Sequence, residues 1–87
     1  RLEISNLNSN KIDLRGLTVD EALDRLDQFI DSAYLNNFDN INILHGTGTG
    51  ALREAIHKYL KLQKNIKAFD SARQENGGYG MTEASFV

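Results

Sequence analysis

Between Ile41 and Ile56 the chain reads INILHGTGTGALREAI: an apolar run, a histidine, three glycines at alternate positions, then apolar residues at helical spacing. No other stretch constrains the fold as much. A buried strand that passes through a glycine turn straight into an amphipathic helix is the building unit of α/β architectures, and it argues against all-helical and all-strand folds together. Asn40–Leu44 is predicted as the strand. Leu52, Ala55, Ile56, Tyr59 and Leu60 form the apolar stripe of the helix, which is expected to end between Leu62 and Asn65.

A similar unit precedes it. KIDLRG, Lys11–Gly16, predicts a short strand ended by Gly16, and LTVDE carries a capping box in which Thr18 accepts from the amide of Glu21 while Glu21 reaches back. Val19, Ala22, Leu23, Leu26, Ile30 and Ala33 then recur at i, i+3, i+4, i+7 spacing, and Asn36-Asn37 offers a left-handed stop. Ile66–Ala72 predicts a third strand, with Ile66, Ala68 and Asp70 on one face and Lys67, Phe69 and Ser71 on the other. Met81–Val87 predicts a fourth, reached through the glycine-rich hairpin RQENGGYG. The expected order is β-α-β-α-β-β: a two-layer α/β sandwich with two helices on a mixed, mostly parallel four-stranded sheet, the final hairpin adding one antiparallel strand. Residues 1–10, rich in Asn and Ser, are expected to be a linker or arm, and residues 11–87 the domain.

At 87 residues the chain has material for one modest core. It contains no cysteine, which removes disulfides, a thiolate nucleophile and Cys-ligated zinc from consideration and favours a cytoplasmic setting. No apolar stretch is long enough for a membrane span, so a soluble protein with no membrane partner is expected. The net charge of −2 conceals an asymmetry. Between Asp13 and Asp39, the acids Asp13, Asp20, Glu21, Asp24, Asp27, Asp31 and Asp39 outweigh Arg15 and Arg25, whereas between His45 and Lys67 the bases Arg53, Lys58, Lys61, Lys64 and Lys67 face only Glu54. A basic patch there is compatible with a phosphate backbone; equally, it fits a solvated face with no partner.

A strand, a glycine turn and a helix N-terminus together make an anion site, because unpaired amides and the positive end of the helix dipole point the same way. Gly46, Gly48 and Gly50 let backbone approach a ligand, and Thr47 and Thr49 add hydroxyls. The loop lacks the Gly-Lys-Ser/Thr of a P-loop and the glycine spacing of a dinucleotide site, so ATP and NAD are disfavoured. Loops at the carboxyl ends of parallel strands share one edge of the sheet, which brings Asp13 and Arg15 beside His45 and Arg53. A histidine, a carboxylate to orient it or act as base, and an arginine to neutralise phosphate suffice for phosphodiester cleavage. Each also has a plainer role: Asp13 can cap its turn, Arg15 can pair with Asp20 or Glu21, and His45 can hydrogen-bond the loop backbone. His57, one turn after Arg53, reads as a solvent-facing phosphate contact. Tyr79 can stack on a base or cover the end of the sheet.

IDLRGLTVDEAL, then ILHGTGTGALREAI, then ENGGYGMTEASFV together resemble the Smr (small MutS-related) domain over roughly Lys11–Val87. With arginine in the first motif, the match is most similar to the copy at the C-terminus of MutS-two proteins. The resemblance implies a fold similar to the C-terminal domain of translation initiation factor three, nucleic-acid binding, and endonuclease activity. It implies Asp13 and His45 as catalytic residues. Arg15, Gly46, Thr47, Gly48, Thr49, Gly50, Arg53, His57 and Lys61 are the expected phosphate or nucleic-acid contacts. A divalent cation, Mg or Mn, is expected to assist at Asp13 if one is used, and ATP belongs only to other domains of a larger parent. The implied activity is nicking of DNA, particularly branched recombination intermediates, which suppresses homologous recombination. The alternative is a non-catalytic or RNA-directed module that binds rRNA and acts on collided ribosomes in ribosome rescue. The isolated domain is expected to be a monomer and the parent a homodimer. The first motif is often Asp-Leu-His-Gly in this family and here is Asp13-Leu14-Arg15-Gly16. Arginine is never deprotonated in proteins and cannot act as a base toward an RNA 2′-hydroxyl.

Overall fold

A computed structural model describes residues 9–73 and 78–87. The first helix, α1 (Val19–Leu35), begins where the capping box places it: the Thr18 hydroxyl accepts from the Glu21 amide and the Glu21 carboxylate accepts from the Thr18 amide. It ends in the expected left-handed stop. Asn37 has φ +62°, and the amides of Asn37 and Phe38 return to the carbonyls of Tyr34 and Ala33, the paired bonds that close a helix once one residue turns left-handed. Phe38 then packs on the core. The buried stripe is Ala22, Leu26, Phe29, Ile30, Ser32 and Ala33. Val19, placed at the head of the stripe by spacing alone, stays partly exposed at the first turn.

Four strands form one sheet: β1 (Lys11–Asp13), β2 (Asn40–Leu44), β3 (Ile66–Ser71) and β4 (Met81–Phe86), with α2 (Ala51–Lys61) between β2 and β3. Their spatial order is β1-β2-β4-β3. β1 and β2 are parallel, while β4 is antiparallel to both β2 and β3. Three strands therefore share one direction, as the two strand-helix units require, and the opposing fourth lies between the second and third instead of at an edge. α1 and α2 contact each other over the sheet, giving the two-layer α/β sandwich.

β1 is shorter than the predicted Lys11–Gly16, although its pairing runs on at both ends. The Leu14 amide donates to the Leu44 carbonyl at 2.7 Å and the Asn42 amide to the Asn10 carbonyl at 2.7 Å. Asn10 thus belongs to the sheet edge; residues 1–8 of the predicted arm lie outside the described residues. β3 departs from strict alternation because its register on β4 shifts between Ile66 and Ala68. That bulge leaves Lys67 as the extra residue and turns Ile66 and Phe69 to the same, core-facing side. Residues 74–77 of the predicted hairpin also lie outside the description; beyond them Gly78–Gly80 forms a single 3-10 turn leading into β4. The core is Leu14, Leu26, Ile30, Ile41, Ile43, Ile56, Leu60, Ala84 and Phe86 with their neighbours. Ile41 and Ile43 alternate inward on β2, opposite Ala84 and Thr82 on β4.

Candidate functional site

β1 and β2 run side by side with Asp13 opposite Leu44, so DLRG and HGTGTG leave the sheet together at one carboxyl edge. The fully buried Leu14 anchors the first turn, and Asp13 and Arg15 on either side of it face solvent. Arg15 folds back on Asp13. Its Nε donates to Oδ1 at 3.0 Å, its Nη2 to Oδ2 at 2.8 Å, and its backbone N–H to Oδ1 at 3.1 Å. Side-chain and backbone hydrogen bonds from Arg15 hold the Asp13 carboxyl at about 2, so it is ionised at any physiological pH and is a weak base while the fork is closed. The partner of Arg15 is Asp13, not Asp20 or Glu21; Glu21 is occupied by the capping box.

The arginine stem lies across the glycine loop: a Cβ on Gly46, whose φ is +80°, would sit 3.4 Å from Arg15 Cγ. Gly50, at φ +88°, is the residue that opens α2, and it supplies no side chain to cap the helix. The start of α2 therefore lacks a side-chain cap from Gly50 itself. Not every loop amide is available, which corrects the expectation for Gly46 to Gly50. The amides of His45 and Gly46 both donate to the Gly80 carbonyl, at 3.0 and 2.9 Å, and that of Gly50 to the Thr47 carbonyl at 2.9 Å. The Ala51 amide donates to the Thr49 hydroxyl oxygen at 3.3 Å, which leaves that hydroxyl's own proton for another acceptor. Among the described residues, the amides of Thr47, Gly48 and Thr49 have no partner, and neither do those of Leu52 and Arg53 in the first turn of α2. Thr47, Gly48 and Thr49 are exposed. Open amides, the positive end of α2 and Arg15 thus meet at one edge, an arrangement suited to a phosphate.

His45 is placed differently from the expectation of a catalyst facing a ligand. It continues the inward alternation of Ile41 and Ile43, is 4% exposed, and lies between the sheet and α2. Its Nδ1 is 2.8 Å from the Gly46 carbonyl oxygen and its Nε2 is 2.8 Å from Thr82 Oγ1. Both ring nitrogens are occupied and Asp13 orients neither. Of the readings open from sequence, the hydrogen bond to the loop backbone is the one the geometry realises. His57 is likewise not a solvent-facing contact. It turns inward from α2, with Nε2 2.7 Å from the same Thr82 oxygen and its ring edge-on to Phe69 at 5.0 Å. Burial pushes the His45 imidazole below its ordinary value despite the Gly46 hydrogen bond, and the charge of Arg53 adds to the lowering. His57 is lowered by burial first, then by Arg53 and His45, with Asp70 opposing.

Arg53, on the first turn of α2, donates from Nη2 to Ser71 Oγ at 2.8 Å and lays its guanidinium over the Tyr79 ring, 4.4 Å from the centroid. Its Nε is buried without a hydrogen-bond partner among the described residues. Tyr79 is 69% exposed, so the ring backed by Arg53 is presented to solvent. Lys61 does not join the site: it is the last residue of an 11-residue helix, about 15 Å along the axis from the glycine loop.

A divalent cation fits this donor set poorly. Both Asp13 oxygens are taken by Arg15, and no group of three or more His, Cys, Asp or Glu converges among the described residues. The residue missed from sequence is Thr82, which is fully buried and joins both histidines. The signal was present: it shares the inward face of β4 with Ala84 and Phe86, and a hydroxyl on such a face needs polar partners inside.

A family model described as the Smr domain matches residues 12–86. The Endonuclease MutS2 of Streptococcus equi subsp. equi is 49% identical over 75 residues, covering 86% of this chain and 10% of its own length. That of Staphylococcus carnosus is 45% identical over 74 residues, covering 85% and 10%. The chain thus spans about a tenth of the relatives it matches. The crystal structure of the Smr domain of Thermus thermophilus MutS2 superimposes with a TM-score of 0.88 at 41% identity, over 90% of this chain and 98% of that one. YdaL, a stand-alone small MutS-related protein from Escherichia coli, shares the fold with a TM-score of 0.85 at 22% identity, over 88% of this chain and 63% of that one. With the model spanning nearly the whole chain and relatives close to half identical, the chain belongs to the Smr domain family.

Proposed function

We propose that this domain binds a nucleic-acid phosphate at the shared edge of β1 and β2 and nicks DNA there as part of a MutS2-like endonuclease. One observation carries the reading: the open amides of Thr47, Gly48 and Thr49, the uncapped start of α2 and the Arg15 guanidinium converge beside a single ionised carboxylate. The names of the relatives, Endonuclease MutS2, support the reaction class. In the proposed cycle an incoming phosphate takes Arg15 away from Asp13. The amides and the guanidinium then stabilise charge developing on the phosphate oxygens. Asp13, freed of the fork, returns toward an ordinary carboxylate value and becomes a better base for an attacking water. The water's proton passes to Asp13 as its oxygen bonds to phosphorus, and the P–O bond to the leaving sugar oxygen breaks, that oxygen taking a proton from solvent. Arginine at position 15 supplies no base for a 2′-hydroxyl, which favours DNA over RNA cleavage. Tyr79, backed by Arg53, offers a stacking face to a base next to the bound phosphate. Branched recombination intermediates are the proposed DNA substrate, and suppression of recombination the proposed consequence.

A second reading is favoured by the closed state of the site. With Asp13 tied to Arg15 and His45 buried, a module that only binds, on DNA or on rRNA of collided ribosomes, accounts for the same edge. Nicking of supercoiled plasmid and cleavage of a labelled RNA, measured on the wild type beside Asp13→Ala and Arg15→Ala, separate the two. The nuclease reading expects DNA nicking by the wild type that falls in both variants; intact DNA at high protein concentration with Mg or Mn present sinks it.

A further inference from the structure

We infer that Thr82 is a positioning residue: with His57 and His45 it forms a hydrogen-bonded chain that pins the Gly46–Thr47 peptide, carbonyl inward, and so aims the Thr47 amide outward at the anion site. This rests on the anion-binding reading above. The direction of the chain follows from which atoms can donate. The Gly46 carbonyl oxygen only accepts, so the proton on His45 sits on Nδ1. In a neutral ring Nε2 is then a bare acceptor, and only the Thr82 hydroxyl is placed to donate to it. Having spent its one hydrogen on His45, the Thr82 oxygen receives His57 Nε2–H on a lone pair. The donor and acceptor at each link are thereby fixed, and the burial of His45 and Thr82 keeps water from substituting at the bond between them.

The consequence reaches the surface through one planar unit. In a trans peptide the C=O and the following N–H point in opposite directions. Holding the Gly46 carbonyl on the inward-facing His45 therefore turns the Thr47 N–H away from the core, where no described residue accepts from it. Gly46 is held from its other side as well, since its own amide donates to the Gly80 carbonyl. The motif histidine thus acts on the ligand through backbone, and Thr82 and His57 act through the histidine.

The test uses the isotope-labelled 87-residue chain, with inorganic phosphate as the probe. Long-range nitrogen–proton spectra of the ligand-free protein are expected to show His45 protonated at Nδ1 and bare at Nε2. Phosphate is expected to move the amide resonances of Thr47, Gly48 and Thr49. Thr82→Ser, which keeps the hydroxyl, should bind phosphate within about twofold of wild type. Thr82→Val should weaken binding by about fivefold, the worth of one typical hydrogen bond, and shift the Thr47 amide even without ligand. A proton on His45 Nε2 overturns the inference, and this measurement needs no variant to fold. So does a Thr82→Val protein that matches wild type both in its Thr47 amide and in phosphate affinity. If the wild type has the stated tautomer but its loop amides ignore phosphate, the anion reading fails; the ligand-free Thr47 shift in Thr82→Val then decides for or against the chain by itself.

Discussion

Replacing Arg15 with alanine tests whether the edge of β1 and β2 meets a phosphate. Among the described residues, Arg15 is the exposed cation on the DLRG and HGTGTG turns, since Arg53 is already committed to Ser71 and Tyr79 and Lys61 lies at the far end of α2. Binding should therefore lose about one ion contact. Each phosphate neutralised on duplex DNA contributes about 0.9 to the slope of log K against log salt, so Arg15→Ala should flatten that slope by about 0.9. Between about 50 and 200 mM salt, a fourfold change, the wild type then loses about 3.5 times more affinity than the variant. Anisotropy titrations of a labelled duplex across that salt range measure both slopes. Asp13→Asn is the companion: it removes the competitor for the guanidinium and is expected to bind more tightly, with the slope retained. The fork is solvent-exposed on both sides, so opening it is a small obstacle to either measurement. Equal slopes for wild type and Arg15→Ala would refute the placement of phosphate at this edge.

Acid should weaken the domain in a window set by the histidines. Both His45 and His57 titrate below the ordinary 6.5 in the folded state, so the stability of their neutral forms is complete above 6.5 and is lost as pH falls through the lowered values. Urea midpoints should drop as pH falls below 6.5; a flat profile there would contradict the neutral pair. The Asp13 contribution is lost separately, below 3.8 and toward its folded value of about 2. Gly50→Ala should cost about 1–2 kcal/mol in urea unfolding, because its φ of +88° crowds any Cβ against its own backbone; no loss would mean the helix start can be remade. Leu26→Ala, at a fully buried position of α1, should cost about 2–5 kcal/mol in the same assay, and a value below about 1 would show that the core collapses around it.

The parts legible from sequence are those that a few neighbouring residues decide. The Thr18–Glu21 capping box, the Asn36-Asn37 stop and the glycine opening of α2 are each written within five residues, and each forms as read. The edge shared by DLRG and HGTGTG was also legible, because a strand-helix-strand unit brings its two carboxyl ends together. What escaped depends on distant pairing. The place of β4 between β2 and β3 is decided by competition among strands. The bulge at Lys67 is set by the register of that pairing, and it reverses the face assigned to Phe69. His57 was placed on the solvent side because it shares a helix face with Arg53, yet that face turns toward the sheet, where Thr82 awaits it. Period-two counting from Ile41 and Ile43 would have turned His45 inward; its glycine neighbours drew the reading toward the ligand instead.

The central position of β4 also bears on how the domain comes into being. Its two neighbours, β2 and β3, are complete at Ser71, but until Met81–Phe86 has been made β2 is paired on one edge only, with β1, and β3 is paired with no strand. Until then both strands carry unsatisfied backbone edges, and the core lacks Ala84 and Phe86. During synthesis the sheet therefore closes late and through contacts distant in sequence, from Asn40 to Ser85, a topology that slows folding. A nascent chain interrupted between Ser71 and Met81 would hold both helices and the whole glycine loop but no continuous sheet to mount them on. The anion site, assembled from the first two strands, thus depends for its scaffold on the strand that emerges last.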